Sequence, residues 1–202
     1  MALPAIYSAL SANLLGMWRM ENASSCTDES GNSYTITSTG TPVLVDGRLG
    51  KAVECNTTTP AYFATASGAI AANYAAGDFT MSCWVNLKRA RTSGDFTQDF
   101  MGWRSDSKYC HFSIYTGGVL KFRHYGAPGA ANDLTGTTDL RGNVWYHVAF
   151  TREVLVTANT ARLSIYVNGV LEDTLDITTY SPANLPGANI PLGIGMASTA
   201  HS

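Results

Sequence analysis

The sequence predicts an all-β protein built as two stacked antiparallel sheets. Three observations carry this. The runs Trp145-Tyr146-His147-Val148-Ala149-Phe150-Thr151-Arg152 and Leu163-Ser164-Ile165-Tyr166-Val167 are rich in aromatic and β-branched residues, and the second leads into Asn168-Gly169, a dipeptide that accepts the positive φ angles of a two-residue hairpin turn. Period-2 segments bounded by Gly, Asn, Asp or Pro recur along the whole chain, whereas no helical periodicity reaches three turns. Finally, 202 residues that are 45% hydrophobic and 14% charged suffice for one sizeable core, and all-β domains often reach this length undivided.

In chain order the expected strands are Leu14–Met20, Ser33–Thr39, Lys51–Cys55, Ala61–Thr65, Phe79–Leu87, Phe100–Arg104, Tyr109–Tyr115, Val119–Tyr125, Val144–Arg152, Arg162–Asn168, Val170–Ile177 and Ile190–Gly195. Turn chemistry separates them at Asp46-Gly47, Gly117-Gly118 and Ser181-Pro182. Ser8–Leu15, with Ser8 as its cap, and the alanine-rich Ala69–Ala76 are the two short helical candidates, and packing would have to stabilise either. The Ala/Gly/Asn-rich piece Gly126–Gly136 reads as a long surface loop. In Arg162–Asn168, Leu163, Ile165 and Val167 share one face and Ser164, Tyr166 and Asn168 the other, so one side meets a core. Val144–Arg152 is bulky on both faces, which places it near the middle of a sheet.

A formal charge of -2 and a pI near 6.0 provide no broad attraction for nucleic acid or an anionic membrane. The one basic cluster, Lys88-Arg89-Ala90-Arg91, reads as a solvated loop. The first residues lack the basic and apolar regions of a secretory signal, and no run of about 18 apolar residues is present. Cys26, Cys55, Cys83 and Cys110 lack zinc-type spacing. Four free thiols are expected, with a Cys26–Cys55 disulfide as the alternative; Cys83 alternates with Phe79, Met81, Val85 and Leu87 and belongs in the core.

Several of these segments together carry a family resemblance. Leu14-Leu15-Gly16-Met17-Trp18-Arg19-Met20-Glu21, Asp28-Glu29-Ser30-Gly31-Asn32 and Gly47-Arg48-Leu49-Gly50-Lys51-Ala52-Val53 resemble the opening of a laminin-G-like (concanavalin A-like) jelly-roll domain. Phe79-Thr80-Met81-Ser82-Cys83-Trp84-Val85 resembles its central strand, Trp145-Tyr146-His147-Val148-Ala149 its tryptophan-histidine strand, Tyr166-Val167-Asn168-Gly169 its hairpin and Leu192-Gly193-Ile194-Gly195 its closing strand. The resemblance, spanning roughly residues 14 to 195, implies a two-sheet antiparallel jelly-roll sandwich over 14–202, with 1–13 as an N-terminal segment serving assembly or covering an edge. Relatives continue past the Leu-Gly-Ile-Gly element into one more strand beside the first; the expectation is therefore an open edge, covered by the N-terminal segment or by a neighbouring subunit.

Catalysis finds no footing in the residues. A glycosidase needs two carboxyl groups about 5–9.5 Å apart across a cleft. The five glutamates, Glu21, Glu29, Glu54, Glu153 and Glu172, form no Glu-x-Asp-x-x-Glu pattern, and Glu172 and Asp173 point to opposite faces of a strand. No Gly-x-Ser-x-Gly elbow accompanies the histidines, so the expected set of catalytic residues is empty. His147 is expected to be a buried imidazole hydrogen-bonded across the sheet.

Asp28-Glu29-Ser30-Gly31-Asn32 gathers hard oxygen donors, so Asp28 and Asn32 are the candidate ligands of a structural calcium ion, with an Asx-type turn as the metal-free alternative; no cofactor is required. Pyranose rings offer apolar faces and hydroxyls together, and aromatic platforms beside amides and carboxylates suit them. Trp103, Asp106, Tyr109, Tyr125, Asn132 and Asp133 form that candidate ligand surface. The expected function is non-catalytic attachment. The resemblance implies a virion component, such as a phage capsid decoration or tail protein, partnered by other subunits or by itself. An extracellular module binding a cell-surface glycan or a protein is the alternative, and a glycoside hydrolase ranks last; neither nucleic acid nor membrane insertion is expected.

Overall fold

A computed structural model of the chain describes residues 13–54, 61–66, 70, 77–88, 98–104, 109–127, 130–178 and 190–195. Among them there are strands and no helix. One sheet has eight strands: β1 (Ser25–Cys26), β2 (Ile36–Thr39), β5 (Tyr62–Thr65), β14 (Gly193–Ile194), β7 (Gln98–Arg104), β8 (Tyr109–Ile114), β9 (Val119–Ala127) and β10 (Ala130–Asp139), in that spatial order. The second has β13 (Val170–Ile177), β12 (Ala161–Val167), β11 (Trp145–Val154) and β6 (Phe79–Asn86). A separate hairpin pairs β3 (Val43–Asp46) with β4 (Lys51–Glu54). Every strand pair is antiparallel. The fold is a concanavalin A-like jelly-roll sandwich.

Strand alternation builds the core. From the large sheet, Cys110, Phe112, Ile114, Leu120, Phe122 and Leu134 point inward; from the small one come Met81, Val148, Phe150, Leu163 and Ile165. The sheets meet at Phe122 and Phe150, whose rings stack with centroids 3.6 Å apart, while Phe112 packs edge-on to Phe122 at 4.9 Å. Such side chains each contribute about 1.5–3 kcal/mol on burial. The β12–β13 turn closes through Asn168 (φ 50°) and Gly169 (φ 81°), both in the left-handed region that this dipeptide accepts.

Several expectations are corrected. Leu14–Met20 is not a strand and belongs to neither sheet; Met17 instead donates its N–H to Asp28 Oδ1, and Trp18 Nε1 donates to the Tyr34 carbonyl. Gly126–Gly136 is not a loop. β9 runs to Ala127 and β10 starts at Ala130, because cross-strand pairing and the burial of Leu134 override a composition poor in strand formers. Strands β1 and β3 are additions to the expected set. Of the helical candidates, 8–12, 69 and 71–76 lie outside the described residues, as does most of the proposed N-terminal arm, while Asn13–Leu15 is not helical. Cys26, Cys83 and Cys110 are free thiols; Cys55 lies outside the described residues. Burial pushes Cys83 and Cys110 up to about 12, so neither is a nucleophile at neutral pH.

Two titrating groups are committed to the fold. His124 is fully buried; desolvation, aided by the Arg152 charge, lowers it to about 3. Arg152 is itself 1% exposed at the inner end of β11, donating from Nε and Nη2 to the Gly77 carbonyl at 3.0 and 2.5 Å. Glu172 stitches β13 to β10, accepting hydrogen bonds from the backbone and hydroxyls of Thr137 and Thr138 at 2.5–2.9 Å. Burial opposes its charge, but those donors prevail and hold it at about 2.

Both shifts make the fold acid-sensitive, in different windows. Unfolded His124 takes up a proton near its ordinary value of about 6.5, and the folded group does so only near 3, so stability falls as pH drops between those values. The Glu172 contribution is complete above about 4.3 and is lost as pH falls through about 2. Urea midpoints measured from pH 7 to pH 4 are expected to fall for the native chain and to fall less for His124→Phe. Glu172→Gln should be destabilised at pH 7, with its deficit shrinking towards pH 2.

Candidate functional site

The outward face of the eight-stranded sheet carries a polar and aromatic patch where β8, β9 and β10 run side by side. Because Cys110, Phe112 and Ile114 point inward, Tyr109, His111 and Ser113 point outward; on β9, Lys121 and Arg123 flank inward Phe122. Register then aligns His111 with Arg123, and Arg123 with Asp133 on β10. Arg123 donates from Nε to Asp133 Oδ1 at 3.1 Å and from Nη2 to Oδ2 at 3.4 Å, while Lys121 Nζ lies 2.9 Å from Oδ2. Burial works against the Asp133 charge, but hydrogen bonds from Arg123 and Lys121 outweigh it and hold the carboxyl below its usual range. The same carboxylate raises Arg123 against the desolvation that opposes its charge.

Tyrosines frame this ion cluster. The Arg123 guanidinium lies over the Tyr109 ring at 5.2 Å and the Lys121 ammonium over Tyr115 at 4.4 Å; Tyr115 is 42% exposed. His111 sits behind Tyr109, ring centroids 5.6 Å apart, with Nε2 at 3.2 Å from Asp99 Oδ1. Gly102 makes this approach of β7 to β8 feasible: its φ is +145°, and a Cβ there would lie 2.3 Å from the Cys110 carbonyl oxygen and 2.5 Å from His111 Cα.

The six expected ligand residues separate by strand parity. Tyr109 and Asp133 lie in the patch, joined through Arg123. Trp103 does not: it pairs with inward Cys110, is 2% exposed and packs against Phe79 at 5.8 Å. Asn132 pairs with buried His124 on the inward face. Tyr125 continues β9, and its side chain, like all of Asp106, lies outside the described residues. His147 is half-buried on the outward face of the small sheet rather than in the core; its ring lies 5.4 Å from Trp84, and its N–H donates to Asn168 Oδ1. Lys121, Arg123, His111 and Asp99 are additions to the expected set. Alternation along Tyr109–Ser113 and Lys121–Arg123 signals their common face, but only register shows that they adjoin Asp133.

Asp99 on β7 and Asp133 on β10 stand three strand spacings apart, about 14 Å between backbones; Asp99 lies beside His111, and Asp133 pairs with Arg123 and Lys121.

Asp28 is a structural knot. Its Oδ1 accepts from the N–H groups of Met17 and Ser30 and its Oδ2 from the Ser30 hydroxyl and the Tyr34 N–H, all at 2.7–3.0 Å. Burial disfavours its charge, but these four donors hold the carboxyl below the ordinary range. Asn32 turns its amide nitrogen to the carbonyls of Leu14 and Leu15. A cation here would have to displace those donors, so the geometry fits the Asx-type turn. Among the described residues no cluster of His, Cys, Asp and Glu is placed to hold a metal.

Residues 57–201 match the concanavalin A-like lectin/glucanases superfamily. No curated protein matches the chain. Among solved structures, it is similar to the binding domain of Paraclostridial mosquitocidal protein 1, at 21% identity and a TM-score of 0.66, over 92% of this chain and 44% of that one. It is also similar to a botulinum neurotoxin type C structure, from a toxin whose cell entry depends on two ganglioside molecules, at 14% identity and a TM-score of 0.73, over 97% and 45%. A third, the binding domain of botulinum neurotoxin DC in complex with rat synaptotagmin II, gives 16% identity and 0.68, over 91% and 44%. The chain thus spans less than half of each. At these identities the likeness shows the fold.

The Asp28 knot yields a direct test. Asp28→Asn places an amide nitrogen among N–H donors and is expected to cost about 2–4 kcal/mol in chemical denaturation. Added calcium or chelator is expected to leave the native melting temperature in place, since ligand binding would raise it.

Proposed function

The chain belongs to the concanavalin A-like lectin/glucanases superfamily, and from that premise we propose that it is a non-catalytic recognition module whose outward Tyr109–Arg123–Asp133–Lys121–Tyr115 patch holds a hydroxyl-rich glycan. The carrying observation is the ion-paired cluster between two tyrosine rings, in which two cations share the Asp133 carboxylate. Charged groups that already satisfy one another offer fixed donors and acceptors to sugar hydroxyls without demanding a charged ligand, and tyrosine supplies an apolar surface and a hydroxyl at small entropic cost. The patch stands on three hydrogen-bonded strands, which hold its geometry before a ligand arrives. That several similar structures are toxin binding domains supports recognition over catalysis.

A second reading, assembly within a larger particle such as a virion, is favoured by strand β6. Sheet edges are ordinarily blunted. Here β1 has two residues, β10 carries register shifts, and β13 carries a shift with Glu172, Asp173 and Asp176. By contrast, β6 runs eight paired residues without a shift, Phe-Thr-Met-Ser-Cys-Trp-Val-Asn, with no charge and no proline, and among the described residues no strand lies on its other side. Such an edge suits a strand from another subunit.

Two measurements separate these readings. On a glycan array the chain is expected to retain neutral oligosaccharides, with Tyr109→Ala and Asp133→Ala each weakening binding about tenfold while near-ultraviolet circular dichroism is preserved; binding unchanged in both variants sinks the patch. Light scattering after size exclusion is expected to show concentration-dependent self-association. A monomer at every concentration, with fast-exchanging β6 amides, sinks the assembly reading.

A further inference from the structure

The opposite face of the sandwich holds a second candidate site, built from different chemistry. On β6, Met81, Cys83 and Val85 pack inward, so Trp84 points out from the small sheet and is 44% exposed. The His147 ring flanks it from β11 at 5.4 Å, as expected for the cross-strand pair these two residues form. From the β3–β4 hairpin, Arg48 reaches over the indole, its guanidinium carbon 5.4 Å from the ring centroid. The hairpin loop is fixed: Gly47 donates its N–H to the Gly50 carbonyl at 2.9 Å, and Gly50 has a φ of +67°. Leu49, next to Arg48, is 81% exposed.

Arg48 stands apart from the other cations. Lys51, Lys88, Lys121, Arg123, Arg141 and Arg162 each have a carboxylate oxygen within 3.1 Å. Arg19 lies 3.8 Å from both Glu21 and Glu29, and Arg152 is buried on the Gly77 carbonyl. Among the described lysines and arginines whose side chains are described, Arg48 alone has neither an acid nor a carbonyl partner. With the other described surface arginines each beside a carboxylate, an arginine left over an exposed indole presents an anion receptor joined to an apolar platform. Guanidinium groups bind carboxylate and sulfate through paired N–H donors, and aromatic faces take the C–H side of a pyranose.

We propose that Arg48 and Trp84 form a second glycan site, selective for an anionic pyranose: the guanidinium takes the sugar's carboxylate or sulfate, and the indole takes its ring face. This site lies on the other sheet from the tyrosine patch and shares no residue with it. Its cation has no carboxylate partner, whereas both cations of the tyrosine patch are paired with Asp133.

Titration of the full chain, followed by tryptophan fluorescence and calorimetry, tests this with three probes: methyl α-N-acetylneuraminide, methyl galactoside 3-sulfate and methyl β-galactoside. The expected result is binding of at least one acidic probe about tenfold more tightly than the neutral galactoside, weakening with added salt; the acidic probe that binds names the anionic group. Arg48→Gln should remove that preference and Arg48→Lys should recover part of it, because an ammonium keeps the charge but loses the paired donors. Trp84→Ala should weaken the acidic probe about tenfold, whereas Tyr109→Ala should leave it unchanged. Equal binding of acidic and neutral probes, or an acidic preference that survives Arg48→Gln, overturns the proposal. Loss of binding in Tyr109→Ala with Arg48→Gln unaffected would instead assign recognition to the tyrosine patch alone.

Discussion

The contact between Phe122 and Phe150 fixes the rest of the molecule. Side chains alternate with period two along a strand, so stacking these rings at 3.6 Å settles the facing of every residue on β9 and β11 and, through register, on their neighbours. Lys121 and Arg123 must point outward because Phe122 does not, and Ala149 and His147 must point outward because Val148 and Phe150 do not. Cross-strand pairing extends the rule to Asp133 on one side and Trp84 on the other. The tyrosine patch and Trp84 both follow from one core decision, and both stand on paired strands. A one-residue slip of β9 would bury Arg123 and expose Phe122, and the cost of burying that unpaired charge excludes it.

The core carries an ionic exception. Arg152 occupies an inward position where alternation calls for an apolar side chain, and its guanidinium is anchored on Gly77 and set 5.8 Å from the Phe79 ring. Its charge helps to keep His124 neutral, so a basic pair coexists in the interior with one member uncharged at neutral pH. Glu172 performs the corresponding task at the margin, where β10 and β13 are tied by its carboxylate. The sandwich is thus joined by apolar stacking in the middle and by a few committed charges at its rim. These charges make acid a condition expected to loosen it.

Much of the architecture was legible in the sequence, for a definite reason. Strands such as Val144–Arg152 and Arg162–Asn168 declare themselves by β-branched and aromatic alternation, and Asn168-Gly169 by the φ angles it accepts. β10 was illegible because Ala-Ala-Asn-Asp-Leu-Thr-Gly has the composition of a loop; only its partner β9 makes it a strand. Leu14–Met20 erred in the other direction, since alternation shows that a segment can be extended but not that a neighbour exists to pair with it. The site was half legible. Tyr109 and Asp133 were recognisable as residue types suited to sugars, but Trp103 has the same credentials and points into the core. What separates them is the parity set by Cys110 and Phe112 together with the close approach at Gly102, information that lies in register.

The two outward patches differ in how their charge is balanced, and this difference carries functional weight. In the tyrosine patch Asp133 pairs with two cations at once, so that neither is left without a carboxylate. Over Trp84 a guanidinium keeps its charge without a carboxylate. Because stacked sheets are about 10 Å apart, ligands on the two outer faces are separated by the full thickness of the sandwich, and no single sugar residue can touch both. Occupancy at one face therefore has no direct contact with the other. Any coupling between them must come from one multivalent surface, such as a glycan chain wrapping the rim or a particle presenting many copies, where effective concentration rather than new contact raises the avidity. A domain with two weak, chemically distinct faces is suited to that setting, since each face alone can release while the array as a whole holds.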